Sequence, residues 1–358
     1  VVGGGSGGVA TARSAALYGK RVALVERGPD RDQDNRRRGG GLGGTCVNVG
    51  CVPKKLMFTA AAHAEMAHTA PGYGVSFGEP QVDWPVLVAR RDAYVERLNG
   101  IYERNLEKAG VTRGDGFARR AEPREVEIGG RRVSADHVVI AVGGRPSLPD
   151  IPGAEHCTSS DGFFDLSERP ARVLVVGAGY IATELAGILH ALGSAVSLAC
   201  RGEGVLRRGF DPLVMEMVND EIRGSGIELL PKTQVTAVRK HDDGTLSAEL
   251  SDGRSLDKLG CVLVAVGRTP VTDQMGLDAC SVALDSKGRI VVDEKQRTSV
   301  DNVYCVGDAS SSGFALTPVA IAAGRRLADR LFGGEPEARF EYADVATVVF
   351  SHPPGGTI

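Results

Sequence analysis

The sequence is organised around one stretch, GGTCVNVGCVPKK at residues 43–55, in which two cysteines stand five positions apart. On a regular α-helix, residues i and i+5 have Cα atoms roughly 8–9 Å apart, whereas a disulfide tolerates a separation of up to about 7 Å. A bridge between Cys46 and Cys51 therefore requires a distorted backbone, which Gly50 permits and Pro53 favours by removing a helical donor. A loop this short contributes little stability when closed, and a strained bridge of this kind is one that chemistry opens and closes. We therefore favour a redox-active pair.

Two other interpretations of the pair stay open at this point. Both thiols could be buried as small apolar side chains. A zinc half-site would require a second Cys/His pair at ligand spacing, but the remaining cysteines stand singly at positions 157, 200, 261, 280 and 305. We predict no metal site, and the five single cysteines favour a reducing compartment.

The motif at residues 43–55 resembles the active-site segment of the flavoprotein disulfide reductases (the class I pyridine nucleotide-disulfide oxidoreductases), and within them the glutathione reductase branch. The likeness extends along nearly the whole chain. It implies an α/β fold with two Rossmann-like dinucleotide-binding domains, for FAD and NADPH, made of parallel sheets with helices and small antiparallel β pieces. The expected boundaries are 1–143 and 271–339 for the FAD-binding domain, 144–270 for the NADPH-binding domain, and 340–358 for the start of a dimer-interface domain.

Size and composition exclude several classes of function. A chain of 358 residues has room for two or three domains, and 42% hydrophobic with 24% charged residues is ordinary for a globular protein. A net charge of −3 gives no case for binding nucleic acid or an anionic membrane, and no apolar run reaches the roughly 20 residues of a membrane span. The chain starts without methionine, so we expect that its natural N-terminus and any targeting segment are missing. We expect a cytoplasmic protein and leave an organellar form open.

A first nucleotide-binding fingerprint opens the chain. Residues 3–8, GGGSGG, fit the pattern G-x-G-x-x-G after a strand end at Val1-Val2. We predict a small-residue helix over residues 9–18 and a strand over 21–25 that ends in Glu26, which places the acid about 20 residues on. Amides at the helix start would approach a pyrophosphate, and Glu26 would accept from ribose hydroxyls. The predicted contacts are Gly3, Gly5, Ser6, Gly7, Gly8 and Glu26.

A second fingerprint begins at the apolar strand 173–176, followed by GAGYIA at residues 177–182. Apolar residues at helical spacing over 181–192 and a further strand at 195–200 complete the unit. Two such units imply two dinucleotides. The predicted contacts in the second are Gly177, Ala178, Gly179 and Ile181.

The identity of the second nucleotide is read at the end of the 195–200 strand. An NAD site requires an acid there for the ribose diol, but this chain has Cys200 followed by Arg201, with Arg207 and Arg208 close behind. Guanidinium groups suit a 2′-phosphate, so NADPH is favoured. Arg201 and Arg207 match the family's phosphate-binding arginines, although Gly202 stands where a histidine is frequent.

The resemblance also implies roles around the flavin. Cys51 would face the flavin, Cys46 would attack the substrate, and Lys54 with its partner Glu184 would lie beside the reactive flavin nitrogen. Tyr180 would cover the ring until nicotinamide arrives. An ordinary surface ion pair stays open for Lys54 and Glu184, and so does core packing for Tyr180. The cofactor contacts implied in this way are Thr45, Cys46, Lys54, Gly116, Gly143, Glu184, Gly267, Asp308, Ala315, Thr317 and Val348, with Asp308 on the flavin ribitol. Cys46 would need thiolate character, which a helix N-terminus and a basic neighbour favour.

The expected substrate is glutathione disulfide. Its carboxylates call for arginine and tyrosine, and Ser6, Arg13, Tyr102 and Arg325 occupy positions that resemble the family's glutathione contacts. Ala10 and Arg13 stand where trypanothione reductases carry an acidic residue and a tryptophan, which favours glutathione disulfide over a cationic substrate.

The family's general acid is a histidine, paired with glutamate, near the C-terminus of the partner subunit. None of the seven histidines of this chain stands in that motif. We expect that the chain lacks most of the dimer-interface domain and that the intact protein is a homodimer. Two alternatives stay open: a large-type thioredoxin reductase, and a module that binds FAD and NADPH without disulfide turnover.

The remaining chain is predicted from pattern alone. Residues 54–69, 84–109 and 319–331 read as helices, and 138–142, 262–266 and 303–306 as buried strands. Residues 27–41 lack apolar periodicity and predict a mobile surface loop, longer than the matching connection in the family, whose run Arg36-Arg37-Arg38 is simply solvated.

Overall fold

The computed structural model describes residues 1–31, 37–78, 80–122, 124–206 and 209–358. The chain divides into two compact units. Unit 1 comprises Val1–Val52, Tyr94–Arg145 and Arg268–Ala343, and unit 2 comprises Pro53–Ala93, Pro146–Gly267 and Asp344–Ile358. These divisions differ from the boundaries proposed for the two nucleotide-binding domains, which stay a prediction.

Seven α-helices lie in the described residues: α1 (Ser6–Leu17), α2 (Gly44–Val49), α3 (Cys51–Thr69), α4 (Trp84–Lys108), α5 (Tyr180–Ala191), α6 (Pro212–Ser225) and α7 (Thr317–Phe332). The strands in the same residues are β1 (Ala23–Glu26), β2 (Pro29–Arg31), β3 (Arg37–Gly40), β4 (Thr112–Asp115), β5 (Ala118–Glu122), β6 (Glu125–Ile128), β7 (Arg131–Ser134), β8 (Val138–Ile140), β9 (Gly144–Pro146), β10 (Thr158–Ser159), β11 (Arg172–Val176), β12 (Ala195–Ala199), β13 (Glu228–Leu230), β14 (Val235–Lys240), β15 (Leu246–Leu250), β16 (Ser255–Leu259), β17 (Cys261–Val264), β18 (Arg268–Pro270), β19 (Val303–Cys305), β20 (Thr347–Val349) and β21 (Gly355–Thr357).

Unit 1 is built on a parallel sheet with Val2 at its centre. Val2 forms parallel bridges with Val25 of β1 and with Ile140 of β8, while β1 pairs with β4 and β8 pairs with β19, also in parallel. Val2, Val25 and Ile140 are buried in one apolar cluster. Because all these strands run the same way, the loop that follows Val2 lies at the carboxyl edge of the sheet, where ligands bind in open α/β sheets.

Helices α1 and α7 approach each other through glycines in unit 1. A Cβ atom on Gly324 would lie 2.4 Å from Oγ1 of Thr11 and 2.8 Å from the carbonyl oxygen of Gly7. Since interiors are close-packed, a side chain at Gly324 would push the two helices apart. The contact therefore fixes the start of α1 relative to α7, which begins at Thr317.

Unit 2 contains a five-stranded parallel sheet in the order β10-β17-β11-β12-β13. All four residues of β17 are buried, as a parallel sheet covered on both faces requires. An antiparallel meander of β14, β15 and β16 adds to this unit, and its apolar residues share a core cluster with Leu174 of β11 and Val262 of β17.

The predicted α/β fold, with parallel sheets, helices and small antiparallel pieces, is confirmed, but some element limits are wrong. Helix α1 begins at Ser6 rather than at residue 9, so Gly7 and Gly8 lie within its first turn. A Cβ atom on Gly8 would lie 1.9 Å from the carbonyl oxygen of Gly3. Close packing of the helix on the preceding loop thus requires glycine despite its poor helix propensity.

The prediction of an irregular loop over residues 27–41 is also wrong. Strands β2 and β3 pair antiparallel, with Pro29 opposite Gly40 and Arg31 opposite Arg37, and the amide of Gly41 donates to the carbonyl of Gly28 at 3.0 Å. Backbone pairing of this kind does not require apolar periodicity, which explains why the pattern missed it. Residues 32–36, which include Arg36, lie outside the described part of the chain.

In the part of the chain that the structure describes, the helices are too short or too polar to traverse a lipid bilayer.

Candidate active site

The glycine-rich loop of unit 1 takes its shape from backbone contacts. Gly3 has φ +107°, and a Cβ atom there would lie 2.3 Å from the carbonyl oxygen of Ala141. Gly5 precedes α1 in extended conformation, and a Cβ there would meet only the Cα of Gly44, at 3.6 Å. Only glycine fits at position 3, because of both the positive φ and the close carbonyl oxygen. At position 5 glycine leaves the first amides of α1 accessible to an anion, because those amides have no partner within the helix.

Glu26 ends β1 and supports this loop. Its Oε2 atom accepts from the amide of Gly4 at 2.6 Å, and Oε1 accepts from the amides of Gly28 at 3.1 Å and Gly41 at 3.2 Å. A carboxylate has about four acceptor sites, so one remains for a ribose hydroxyl. The ribose role of Glu26 stays a prediction, while its structural role is to join the glycine loop to Gly28 and Gly41, which flank the paired strands β2 and β3.

The segment that carries Cys46 lies directly on the glycine loop. The amide of Gly43 donates to the carbonyl of Gly4 at 2.8 Å, and a Cβ atom on Gly44 would lie 2.7 Å from the Cα of Gly5. Both Gly43 and Gly44 have positive φ, at +95° and +64°. Each conformation is one that glycine adopts readily, so the two glycines bring α2 and its cysteine to the loop.

Two asparagines that sequence reasoning missed hold this turn. Asn48 on α2 and Asn99 on α4 both donate to the carbonyl of Leu42, at 3.2 and 2.7 Å, and the Asn99 amide also donates to Oδ1 of Asn48 at 3.0 Å. The partner that both side chains share is a backbone carbonyl of a loop. No pattern in the sequence points to such a contact.

The helix is interrupted between the two cysteines, as the sequence predicts. Helix α2 ends at Val49, Gly50 has φ −148° and ψ −123°, and α3 starts at Cys51. A Cβ atom on Gly50 would lie 2.7 Å from the carbonyl oxygen of Thr45 and 3.2 Å from the Cα of Cys46. The backbone therefore folds back on Cys46 at Gly50, and only glycine has room there.

The two cysteines face each other as thiols. All seven cysteines lie in the described residues and all are free, so the predicted disulfide is not present as a bond and the pairing stays a prediction. The Cys46 side chain hydrogen-bonds Cys51, and Oγ1 of Thr317, the first residue of α7, lies 3.8 Å from Sγ of Cys51. Cys51 is exposed and Cys46 is partly buried.

In this dithiol form the pKa of Cys46 is raised above the ordinary thiol value, and the thiolate character expected of Cys46 in catalysis stays a prediction. The hydrogen bond to Cys51 raises the pKa of Cys46, burial raises it further, and Thr317 opposes the shift only in part. When two neighbouring thiols interact, loss of the first proton makes loss of the second proton harder, so the pair keeps one proton to high pH. The contact therefore couples the titration of the two thiols, and Cys51 is the main cause of the raised pKa of Cys46.

Tyr102, a predicted substrate contact, interacts electrostatically with both Cys46 and Arg13, a second predicted contact. Burial raises the pKa of Tyr102, the charge of Cys46 raises it further, and Arg13 lowers it. Arg13 is exposed on α1 and Tyr102 is partly buried on α4. Arg325 lies exposed on α7, and Ser6 is the partly buried first residue of α1.

Asp308 follows β19 and is a strong candidate to hold a polyol. Burial raises its pKa, and the charge of Arg268 lowers it. A buried carboxylate is stabilised by hydrogen-bond donors, which the ribitol hydroxyls of FAD would supply, so the residues present fit that cofactor. Gly143 fits as well, because a Cβ there would meet no atom within 4 Å.

Arg268 is a further residue of this region that sequence reasoning did not single out. Its Nη2 atom donates to the carbonyl of Gly144 at 2.7 Å and lies 3.3 Å from Oγ1 of Thr45. It thus joins the cysteine segment to the strand end at Gly144 and gives Asp308 a nearby cation. Its position after the buried strand β17 and Gly267 was the available signal.

The other predicted contacts of unit 1 lie at strand and helix ends. Gly116 has φ +135° and follows β4, with its would-be Cβ 3.7 Å from Cγ2 of Ile128. Ala315 is exposed two residues before α7.

Unit 2 has its own glycine loop, between β11 and α5. Gly177 has φ +146°, and a Cβ there would lie 2.4 Å from the carbonyl oxygen of Ala265. Gly179 precedes α5 in extended conformation, and a Cβ there would meet nothing within 4 Å. The carbonyl of Ala178 accepts from the amide of Leu206 at 2.8 Å. The loop thus leaves the start of α5 accessible, which suits a dinucleotide phosphate.

The residues proposed to select the 2′-phosphate are described only in part. Arg201 is exposed just after β12. Arg207 and Arg208 lie outside the described residues. Glu203, a potential competitor for a phosphate, pairs with Lys232 at 2.8 Å in an exposed salt bridge.

The Lys54–Glu184 pair is present in unit 2 and is not an ordinary surface ion pair. Lys54 Nζ lies 2.9 Å from Glu184 Oε1, and the two side chains are only 12% and 6% exposed. Tyr180, on the first turn of the same helix as Glu184, is 37% exposed and so is not a core residue.

Three other predicted cofactor contacts are described in the structure. Val348 on β20 is 52% exposed, and Ile181 on α5 is partly buried. Gly267 lies between β17 and β18.

Comparison with known proteins identifies the class of protein that this fold and these sites define. Residues 1–324 match the pyridine nucleotide-disulphide oxidoreductase family, and the chain belongs to that family. It is an oxidoreductase of the flavoprotein disulfide reductase class.

Two curated relatives are similar over the whole chain. The chain is 44% identical over 376 residues to a glutathione reductase of Yarrowia lipolytica, covering 100% of this chain and 77% of that protein. It is 43% identical over 369 residues to a glutathione reductase of Schizosaccharomyces pombe, covering 100% of this chain and 76% of that protein.

Proposed function

We propose that the chain catalyses the NADPH-dependent reduction of glutathione disulfide to glutathione, with FAD as cofactor and Cys46 and Cys51 as the redox-active pair. The observation that carries the proposal is the hydrogen bond between the Cys46 and Cys51 thiols across a helix break that only glycine allows at position 50. The relatives named above support glutathione disulfide as the substrate.

Each cofactor has a set of residues suited to hold it. The glycine loop at residues 3–8, Glu26, Thr45, Gly116, Gly143, Asp308, Ala315 and Thr317 would hold FAD. The loop at residues 177–179, Ile181, Arg201, Arg207, Gly267 and Val348 would hold NADPH, and Lys54 and Glu184 would lie beside the flavin with Tyr180 as its cover. When bound, FAD and NADPH supply the two-electron chemistry that returns the pair to the dithiol state.

The pair itself performs the exchange with substrate. One proton of the dithiol is lost to solvent, and the remaining proton lies on the Cys51 sulfur while the Cys46 sulfur attacks one sulfur of glutathione disulfide. The substrate S–S bond breaks, a mixed disulfide forms on Cys46, and the first glutathione leaves with the proton from Cys51. The Cys51 thiolate then attacks the Cys46 sulfur, the mixed disulfide breaks, and the second glutathione takes a proton from solvent. Two electrons move from the dithiol to the substrate, and a Cys46–Cys51 disulfide forms.

Tyr102 interacts electrostatically with both Cys46 and Arg13, and the guanidinium group of Arg13 supports a substrate with carboxylates, because guanidinium groups recognise carboxylates well. Ser6 and Arg325 complete the proposed substrate contacts. We further propose a homodimer for the intact protein, a cytoplasmic location, and FAD-binding and NADPH-binding domains over 1–143 with 271–339 and over 144–270, with 340–358 contributing to a dimer interface.

The proposal is tested by NADPH oxidation in the presence of FAD, with glutathione disulfide and with oxidised thioredoxin as separate substrates. We expect a rate that depends on glutathione disulfide and is absent in Cys46→Ser. A rate with thioredoxin alone would instead favour the large-type thioredoxin reductase. A rate of NADPH oxidation that depends on neither disulfide would identify a nucleotide-binding module without disulfide turnover.

A further inference from the structure

The carboxylate of Glu184 has a second donor besides Lys54. The backbone amide of Phe350 donates to Oε1 of Glu184 at 2.9 Å, and Lys54 donates to the same oxygen at 2.9 Å. With its side chain 6% exposed, Glu184 depends on protein donors to offset the loss of water. Two donors on one oxygen fix where that carboxylate lies.

The aromatic ring of Phe350 contacts the other half of the pair. Its centroid lies 3.8 Å from Nζ of Lys54 and 4.7 Å from Nζ of Lys55. A cation within about 6 Å of a ring centroid is attracted by the negative face of the ring. An ammonium group has three donors, so Lys54 can keep its bond to Glu184 and its ring contact and still offer a donor to a ligand.

The segment around Phe350 is firmly held within unit 2. Nδ1 of His352 lies 2.7 Å from Oε2 of Glu65 on α3, and the His352 ring packs on Phe58 with centroids 4.7 Å apart. A Cβ atom on Gly187 of α5 would lie 2.7 Å from the His352 ring, so the imidazole is seated directly on that helix. Phe350 therefore has a fixed position from which to hold both partners.

We propose that Phe350 is a positioning residue, whose amide holds the Glu184 carboxylate and whose ring holds the Lys54 ammonium. The inference rests on the proposed function in assigning this pair to the flavin site. The contacts themselves do not depend on which substrate is reduced. Phe350 acts through Lys54 and Glu184 and takes no part in the chemistry.

The first test measures the Lys54 ammonium directly, without cofactor or turnover. Competitive acetylation with acetic anhydride, followed by peptide mass spectrometry, compares the reactivity of Lys54 with that of the exposed Lys20 in each variant. In Phe350→Leu, which keeps the amide and loses the ring, we expect Lys54 to react about threefold to tenfold faster. Phe350→Tyr keeps a ring and should restore the wild-type reactivity.

Phe58→Leu is the packing control, because it removes a buried ring that contacts Phe350 and Lys55 while it retains the Phe350 ring itself. It should leave the Lys54 reactivity unchanged. Equal increases in Phe350→Leu and Phe58→Leu would reduce Phe350 to a packing residue. An unchanged Lys54 reactivity in a folded Phe350→Leu would overturn the ring contact.

The amide contact is tested in a variant that leaves Phe350 intact. In Glu184→Ala, hydrogen exchange of the Phe350 amide should be accelerated about tenfold or more, since its acceptor is gone, while the amides of the β20–β21 pair keep their protection. Unchanged exchange at Phe350 would overturn the amide contact, even if Phe350→Leu fails to fold.

In the FAD-loaded chain, Phe350→Leu should slow flavin reduction by NADPH about tenfold and leave the KM for glutathione disulfide unchanged, and Phe350→Tyr should recover the rate. A loss confined to the KM for glutathione disulfide would contradict the positioning role. If the wild-type chain does not reduce glutathione disulfide but acetylation and exchange respond as expected, the proposed function fails and the positioning role stands.

Discussion

A Cβ atom on Gly50 would lie 3.2 Å from the Cα atom of Cys46. The same Cβ atom would lie 2.7 Å from the carbonyl oxygen of Thr45, so only hydrogen fits at position 50. The backbone therefore folds back at this residue and brings Cys51 next to Cys46. The geometry explains why two cysteines at a spacing unsuited to a regular helix hydrogen-bond each other here.

Gly50→Ala should therefore disrupt the pair. Overpacking of this kind typically costs about 1–3 kcal/mol, and the added methyl group must displace either the Thr45 carbonyl or Cys46. We expect a fall in disulfide-dependent NADPH oxidation of at least about tenfold, because exchange chemistry depends on the placement of both sulfurs. Gly224→Ala on α6, where a Cβ would meet no atom within 4 Å, is the control. Equal activity of the two variants would show that the Gly50 contact is unimportant.

The reactivity of Cys46 should depend on Cys51 in a definite direction. The hydrogen bond to Cys51 raises the pKa of Cys46, so in the reduced protein Cys46 keeps its proton as the pH rises through the ordinary thiol range near 8.5. Alkylation requires the thiolate. Removing the thiol partner in Cys51→Ser should lower the pKa and speed alkylation of Cys46 at pH 8, on the order of tenfold.

The measurement is the rate of iodoacetamide labelling of Cys46 as a function of pH, with Cys46→Ser reporting Cys51 alone. Faster labelling of Cys46 in the reduced wild type than in Cys51→Ser would show that Cys51 lowers, rather than raises, the pKa of its neighbour.

Asp308 should make the stability of the cofactor-free protein depend on pH. Burial raises its pKa in the folded state above the unfolded value of about 3.9. When the pKa of a carboxyl group is higher in the folded state than in the unfolded state, the folded protein loses stability as the pH rises from the unfolded-state pKa through the folded-state pKa. Asp308→Asn lacks this loss, so its melting temperature should rise relative to wild type between pH 4 and pH 7.

The same substitution should weaken FAD binding, because a charged acceptor contributes about 1.5–3 kcal/mol in a buried hydrogen bond, or more than about tenfold in Kd. Thermal unfolding without cofactor and FAD fluorescence titration measure the two effects. Asp301→Asn, at an exposed carboxylate, controls for the change in charge. A pH-independent difference between wild type and Asp308→Asn would rule out the buried carboxylate as its source.

Arg13 should affect substrate binding more than chemistry. Its charge lowers the pKa of Tyr102, which also senses the charge of Cys46, and a charge-assisted hydrogen bond to a substrate carboxylate contributes about 1.5–3 kcal/mol. Arg13→Ala should raise the KM for glutathione disulfide about tenfold or more and leave the KM for NADPH unchanged. Arg132→Ala, at an exposed arginine on β7, is the control. If Arg13→Ala raises only the KM for NADPH, Arg13 does not bind glutathione disulfide.

Much of the fold and of the dithiol site follows from residue patterns. Glycine spacing, apolar strands and the cysteine spacing each reflect a constraint that a side chain, or its absence, imposes locally. The helix break at Gly50 is such a case, because the demands of a bridge already exclude a regular helix between residues 46 and 51.

What the patterns missed depends on backbone partners far along the chain. The amide of Phe350 meets Glu184 at a separation of 166 residues, and Asn99 meets the carbonyl of Leu42 at a separation of 57. Every residue except proline has an amide and every residue a carbonyl, so residue type does not single out these partners. The pairing of β2 with β3 was missed for the same reason.

The most direct test of the central claim is differential alkylation of the cysteines in the FAD-loaded chain, with mass spectrometry, before and after one equivalent of NADPH without oxygen. The account predicts that the air-oxidised protein carries a Cys46–Cys51 disulfide that resists alkylation, and that NADPH exposes both thiols while the other five cysteines are unaffected. Two free thiols at these positions before NADPH is added, or a disulfide that persists after it, would contradict the account.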